Sequence, residues 1–120
     1  MPQDRFPLRG EIWFTNIPTD PPDKGRRPVV VVSTDVRNRH LRANTVLVVP
    51  LSTSIHRSDI ATHLNLEPGE TGLAERIVAK AEDITVISKS SLQPPRQPLR
   101  NLSNLQICSL SRLVAVAMAC

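Results

Sequence analysis

Two neighbouring guanidinium groups head a long apolar run, Gly25-Arg26-Arg27-Pro28-Val29-Val30-Val31-Val32-Ser33. Arginine stays charged at any working pH and holds a planar fork whose paired donors match two phosphate oxygens. Pro28 restricts Arg27 to an extended or turn geometry, so that side chain leaves the backbone in a defined direction. A hydroxyl cluster, Ser52-Thr53-Ser54, closes a second apolar run, Thr45 to Leu51. If the two runs pair as antiparallel strands through the Asp35–Arg42 connection, the head of one lies beside the tail of the other. Cationic forks and hydroxyls then converge at one rim. That pairing suits a phosphodiester, with arginine neutralising charge that grows on the phosphoryl oxygens while a hydroxyl donates to one of them. Each piece also has a plainer use: a solvated Arg pair ending a loop, and a hydroxyl turn that satisfies local backbone groups.

Other chemistries find little support. His40, His56 and His63 are scattered, without the paired Cys/His spacing of a metal site, and no acidic cluster of cation-binding type occurs. Four glycines spread along the chain cannot build a phosphate-cradling loop, and no serine-hydrolase elbow is present. The expectation is a site without metal or cofactor.

The 120 residues fit one domain, residues 1–120, with one core. A net charge of +4, carried mostly by arginine, favours a polyanionic or acidic partner. With only Trp13, Phe6 and Phe14 as aromatic residues, any nucleic-acid contact should lean on charge and hydrogen bonds more than on stacked bases. No apolar run is long enough to span a bilayer, and Met1-Pro2-Gln3-Asp4-Arg5 lacks the apolar segment of a secretory signal. A cytoplasmic location without membrane contact is therefore expected.

The elements that must position these groups are mostly strands. Gly10, Ile12 and Phe14 alternate with Arg9, Glu11, Trp13 and Thr15 over Arg9–Ile17. Pro18-Thr19-Asp20-Pro21-Pro22-Asp23-Lys24-Gly25 is dense in breakers and predicts an irregular, mobile, exposed loop. Val29–Val32 is β-branched throughout, as in a strand covered on both faces. Asp35–Arg42 is a polar, basic connection to the strand Thr45–Leu51. Further strands are expected at Thr62–Glu67, Ile77–Glu82 and Ile84–Ile87, with a turn at Pro68–Gly72. After the stiff Pro94, Pro95 and Pro98 connector, Ser103 and Gln106 form a capping box, and Leu102 with Ile107 a hydrophobic staple. Ile107, Leu110, Leu113, Val114 and Ala117 then make one apolar stripe on a C-terminal helix running to Cys120. Twelve helical residues would hold Cys108 and Cys120 roughly 18 Å apart, beyond disulfide reach. Both thiols are expected reduced, one packed and one terminal.

Taken together the segments resemble the MazF/PemK/Kid family of toxin endoribonucleases. The matching pieces are Arg9-Gly10-Glu11-Ile12-Trp13, Gly25 to Ser33, Asn44-Thr45-Val46-Leu47-Val48-Val49-Pro50-Leu51-Ser52-Thr53, and Ile77-Val78-Ala79-Lys80-Ala81-Glu82-Asp83-Ile84. They occur in family order and spacing across most of residues 9 to 115. The resemblance implies a mainly β (α+β) fold, an SH3-like small β-barrel with a C-terminal α-helix, working as a homodimer. It also implies cofactor-free cleavage of single-stranded RNA, in which the 2′-hydroxyl attacks the adjacent phosphate to leave a cyclic phosphate and a free 5′-hydroxyl. A small acidic antitoxin would be the protein partner, and DNA would be met only through that antitoxin.

Carried over by motif, the expected catalytic residues are Arg27 and Ser52, with Thr53 as a supporting donor. The RNA-binding residues are Arg26, Lys24, Asp23, Ser54, His56, Arg57, Lys80 and Glu82. The pKa of arginine, above about 12, makes it a poor proton donor, so Arg27 is better suited to clamp a phosphate than to act as an acid. The chain departs from the family in carrying Ser52 for a frequent threonine, and Lys80 and Glu82 where the Kid-like branch has arginine and aspartate. Pro21-Pro22-Asp23 replaces a loop that commonly holds a glutamate or histidine. The general base stays open between Asp23, Glu82 and a bound 2′-hydroxyl aided only by electrostatics. The competing function is a catalytically silent SH3-like barrel that binds RNA or a protein without cutting; a structural SH3-like subunit is a third.

Overall fold

The computed structural model describes residues 6–53 and 61–118. The described residues include six strands: β1 (Ile12–Asn16), β2 (Arg26–Val31), β3 (Thr45–Ser52), β4 (His63–Leu66), β5 (Ile77–Lys80) and β6 (Thr85–Ser88). Three helices accompany them: α1 (Asp35–Asn38), α2 (Pro68–Thr71) and α3 (Asn104–Met118). All recorded strand pairs are antiparallel, in the path β1-β2-β3-β5-β4, with β6 paired to β3. Among the described residues the sheet is not closed, which corrects the expected barrel: the end strands β1 and β4 do not pair with each other. The outer edge of β1 is capped instead by Gln93, which exchanges backbone hydrogen bonds of 2.8 Å with Phe14 in both directions. Pro94 and Pro95 follow, and without N–H groups they cannot extend that pairing.

The missing donors of two prolines set the topology near the hydroxyl cluster. Val31 N–H donates to Glu11 O and Val32 N–H to Leu47 O, each at 2.9 Å, so odd-numbered β2 residues address β1 and even-numbered ones address β3. Pro28 therefore lacks the donor that would continue the β2–β3 ladder, whose last pair is Val29↔Pro50. On β3, Leu47 addresses β2 on both counts: its carbonyl accepts from Val32, and its N–H donates to Ser33 Oγ at 3.1 Å. The missing donor of Pro50 thus faces the far edge. There β6 has ended at Val48↔Thr85 and β5 begins at Leu51↔Ala79. Between β5 and β6 the chain makes a 3₁₀ turn, Ala81–Asp83, where the sequence had suggested a longer strand through Glu82.

The valine run is buried on both faces, as its composition predicted. Val29 and Val31 pack with Val46, Val48 and Ile87 on one side, and Val30 packs with Val49, Leu51 and the α3 residues Ile107 and Leu110 on the other. The capping box of α3 forms in both directions: Ser103 N–H donates to Gln106 Oε1 at 2.8 Å, and Gln106 N–H to Ser103 Oγ at 3.2 Å. Leu102 and Ile107 are both buried in the cluster beneath α3. Along the stripe, Leu113 and Val114 are half-buried and Ala117 is exposed. Cys108 is exposed rather than packed, because it falls on the helix face turned away from Ile107 and Leu110. Cys120 lies outside the described residues.

Two short helices were not foreseen. α1 begins at Thr34, whose Oγ1 accepts from Arg37 N–H at 3.4 Å, and is anchored by the buried Asn38, which donates to Ser33 O at 3.0 Å. The Arg37 guanidinium donates to Thr45 O at 2.7 Å, so part of the basic connection serves to dock α1 on β3. α2 occupies the expected Pro68–Gly72 turn, with Gly72 closing it at a φ of 86°.

The Arg9–Trp13 motif is a structural clasp. Glu11 is 8% exposed, and its Oε1 accepts from Leu8 N–H at 2.8 Å and Trp13 Nε1 at 3.0 Å. Gly10 has a φ of 93°, and a Cβ placed there would stand 2.6 Å from Leu102 O. Leu102 N–H meanwhile donates to Gly10 O at 2.8 Å, fastening the approach to α3 against β1. Gly10→Ala must therefore strain the backbone and push Leu102 away. We expect a loss of about 2 kcal/mol or more in denaturant unfolding, since strain of this kind typically costs about 1–3 kcal/mol before the clash is counted.

Candidate active site

Strand alternation assigns the chemical groups to faces. Val29 and Val31 share a face with Val46 and Val48, so Arg27 on β2 and Ser52 on β3 point to that same side. Extending the register by two residues on each strand from Val29↔Pro50 brings Arg27 level with Ser52. The ladder has stopped at that point, so Arg27 and Ser52 stand just beyond its last pair. Arg27 is also paired through its backbone with Thr15 on β1, and Ser52 with Val78 on β5. Each is thus fixed on its strand by a neighbour on the other side.

Arg27 is no free cation. Its Nη1 donates to both carboxylate oxygens of Asp20, at 3.1 Å and 3.0 Å. The two side chains retain only 17% and 16% exposure. Asp20 lies in the loop expected to be mobile, yet its N–H donates to Ile17 O at 2.9 Å in a turn whose first residue is buried. The same loop carries a 3₁₀ turn at Pro22–Lys24, so its proline content did not exclude regular structure. A cavity of about 290 Å³ opens at Arg27, lined also by Asp20, Pro50, Asp83 and Thr85. Gly25, at φ 69° and ψ −158°, turns the chain from this loop into β2.

The other expected residues divide. Arg26 is exposed on the opposite face of β2, where it lines a larger cavity of about 550 Å³ with Phe14, Leu73, Pro94, Pro95 and Arg96. The arginine pair is therefore split, because consecutive strand residues must point to opposite sides. We place the chemistry at the cavity of about 290 Å³, which Arg27 and Pro50 line on the face that Ser52 shares, although Ser52 itself is not part of its wall. Asp23 and Lys24 are exposed in their 3₁₀ turn, and Thr53 is exposed just after β3. Ser54, His56 and Arg57 lie outside the described residues. Lys80 is half-buried at the end of β5, on the Ser52 face because it lies two residues from Val78, and its register partner is His63.

Glu82 is engaged. Its carboxylate accepts from Thr62 Oγ1 at 2.7 Å and meets His63 Nε2 at 2.9 Å. Burial pushes its pKa up, but the hydrogen bonds from Thr62 and His63, a backbone hydrogen bond and the charge of His63 outweigh that and hold it below the ordinary 4.5. A carboxylate so stabilised is a weak proton acceptor, which counts against Glu82 as a general base. Its evident work is to tie the start of β4 to the 3₁₀ turn.

Sequence reasoning missed Asp20, Thr62 and His63 as parts of this face, and Asp83 and Thr85 as cavity walls. The signal for Asp20 was present: Ile17-Pro18-Thr19-Asp20 places proline second in a four-residue turn, which aims the fourth residue back toward the following strand. The His63–Glu82 contact spans 19 residues and had no local signal.

With this geometry in view, comparison with known proteins is specific. Residues 8–118 match the family described as PemK-like, MazF-like toxin of type II toxin–antitoxin systems. A probable endoribonuclease MazF5 of Mycobacterium tuberculosis is 30% identical over 115 residues, covering 96% of this chain and 95% of the relative. The endoribonuclease MazF of Staphylococcus saprophyticus is 24% identical over 112 residues, 92% of this chain and 89% of that protein. Among solved structures, a mycobacterial endoribonuclease in complex with its cognate antitoxin superposes with a TM-score of 0.69 at 24% identity, covering 93% of this chain and 94% of the other. The chain belongs to the PemK-like, MazF-like toxin family.

The Glu82 anchor has a pH signature. A carboxyl whose folded pKa is lowered adds stability that is complete above its unfolded pKa and is lost as pH falls through the folded value. Glu82→Gln should therefore melt below the native protein near neutral pH, and the gap should close on acidification from 4.5 downward. Because Glu82 is partly exposed, the gap should be small. Thermal melts across that range measure it.

Proposed function

We propose that this chain is a sequence-selective, metal-independent endoribonuclease of single-stranded mRNA and the toxin of a type II toxin–antitoxin pair. Its relatives are named endoribonucleases, and the single observation that carries the assignment to this site is Arg27 and Ser52 level on one face where β2 and β3 part. That reading is favoured over the silent RNA- or protein-binding domain. A largely buried, oriented guanidinium on the same sheet face as a strand-end hydroxyl suits phosphoryl chemistry better than simple retention of RNA.

In the reaction, the ribose 2′-oxygen attacks the adjacent phosphorus and the bond from phosphorus to the 5′-oxygen breaks. The products are a 2′,3′-cyclic phosphate and a free 5′-hydroxyl. The proton lost by the 2′-hydroxyl is balanced by the one gained at the 5′-oxygen, and no other reagent is consumed. Arg27 clamps the non-bridging oxygens, on which charge grows in the transition state, and Ser52 donates a hydrogen bond to one of them, with Thr53 in support. Lys80 meets a neighbouring phosphate as a point charge. Arg26, on the far face, is assigned to a flanking part of the strand or to the antitoxin.

The partner reading has the same basis. A cognate antitoxin accompanies a solved relative, and the net charge of +4 suits an acidic chain. We also infer a homodimer working in the cytoplasm, with DNA met only through the antitoxin. The apolar residues Leu105, Val116 and Met118, exposed along α3, are suited to an interface. No helix among the described residues is long and apolar enough to cross a membrane.

The test is incubation of purified protein with single-stranded RNA in EDTA, followed by labelling of new 5′-hydroxyl ends. Native protein should cut, Ser52→Ala should slow cutting by about 10²–10³-fold, and Arg27→Ala should abolish it while folding normally. RNA retained but left whole by the native protein would establish the silent binder instead.

A further inference from the structure

We propose that Asp20 is a positioning residue that presents Arg27 to the scissile phosphate. The inference rests on the role given to Arg27 above and adds to it the device that aims the guanidinium.

The contact has a particular shape. Arg27 uses one nitrogen, Nη1, for both Asp20 oxygens, and among the described residues it makes no other side-chain hydrogen bond. Nη1 lies on the Cδ side of the guanidinium, so the outer edge, Nε with Nη2, is left without a side-chain partner on a residue that lines the cavity. With Nη1 taken by Asp20, that outer edge is the one left able to take two phosphate oxygens side by side. A carboxylate gripping the outer edge would compete with substrate. Asp20 grips the inner end and leaves the working edge free.

The grip is rooted in the core. Asp20 N–H bonds to Ile17 O at 2.9 Å, and Ile17 is 6% exposed among the valines beneath β1 and β2. Arg27 sits on β2 with its backbone paired to Thr15, which is fully buried. Both ends of the pair are thus held by the fold. With exposures of 17% and 16%, the pair is also screened less than a surface ion pair. Without Asp20 the long arginine side chain would regain its rotamers. It could still attract a phosphate, but it would not hold its fork where charge develops.

That distinction yields a signature no general loss of structure would give. Asp20→Ala frees Arg27, so the cleavage step should slow while RNA affinity holds or tightens, because the cation no longer shares its charge with a carboxylate. Asp20→Asn keeps an oxygen acceptor for Nη1 and should restore most of the rate.

Single-turnover cleavage of a mixed-sequence single-stranded RNA, with the full-length protein in excess, measures the step in the bound complex. Binding to a fully 2′-O-methylated copy of that RNA, which cannot be cut, measures affinity. The expected results are a rate at least about tenfold lower for Asp20→Ala, affinity equal to or tighter than native, and recovery in Asp20→Asn. Native rates in Asp20→Ala would overturn the proposal. So would a rise in both rate and affinity, which would mark Asp20 as a competitor for Arg27. Equal losses of rate, affinity and melting temperature would also overturn it, by reducing Asp20 to a fold residue. Arg27→Ala, run alongside, separates the two levels: if that variant still cuts, the role of Arg27 itself fails. If it is dead while Asp20→Ala cuts normally, only the positioning role fails.

Discussion

Two absent backbone donors govern the architecture around the site. β3 serves β2 along one edge and both β6 and β5 along the other, and each change of partner coincides with a proline. Pro28 has no N–H to offer β3, so the β2–β3 ladder ends one pair before it. Pro50 has none to offer the far edge, where the chain between β5 and β6 makes its 3₁₀ turn. A proline inside a sheet ordinarily weakens it. Here the unmade hydrogen bonds fall where the β2–β3 ladder ends, and a cavity opens there beside Arg27 and Pro50.

An opening alone would not hold a cation in register. The side chain of Arg27 retains only 17% exposure and shares a cavity wall with Ile17 and Pro50, where an unpaired charge would be costly. Asp20 offsets that cost from a turn anchored in the same core. Cavity, ion pair and strand-end hydroxyl therefore depend on one another: the prolines part the strands, the valines fix them, and the carboxylate makes a partly buried arginine tolerable. The His63–Glu82 contact does similar work further along the same face, tying β4 to the 3₁₀ turn across a long chain separation. Most of the polar residues near the opening thus have a structural partner, which leaves few groups free to meet a ligand.

Strands were legible wherever β-branched runs or alternation continued for several residues, as in Val29–Val32 and Thr45–Leu51, and α3 was legible from its capping box and stripe. These patterns reflect burial, which acts on every side chain of an element in the same way. The short helix α1 was hidden because Arg37, Arg39, His40 and Arg42 read as a solvated connection. What makes it helical is Thr34 as a cap and Asn38 buried against Ser33, contacts that hydropathy does not register. The packing of Cys108 was misjudged for a related reason, since its face of α3 turns outward. Barrel closure, expected from the resemblance, fails on edge chemistry: Gln93 occupies the edge of β1, and the two prolines after it end the pairing.

By itself the sequence determined the residue types that could meet a phosphodiester, the strands that carry them and the family to which they belong, because motif and periodicity are local properties. Tertiary structure alone decided which of the two adjacent arginines shares a face with Ser52, and that Asp20 rather than solvent holds it. Both outcomes depend on pairing register and on a loop folding back over seven residues, and register is fixed by burial on both sheet faces at once. No stretch of sequence read in isolation contains that constraint.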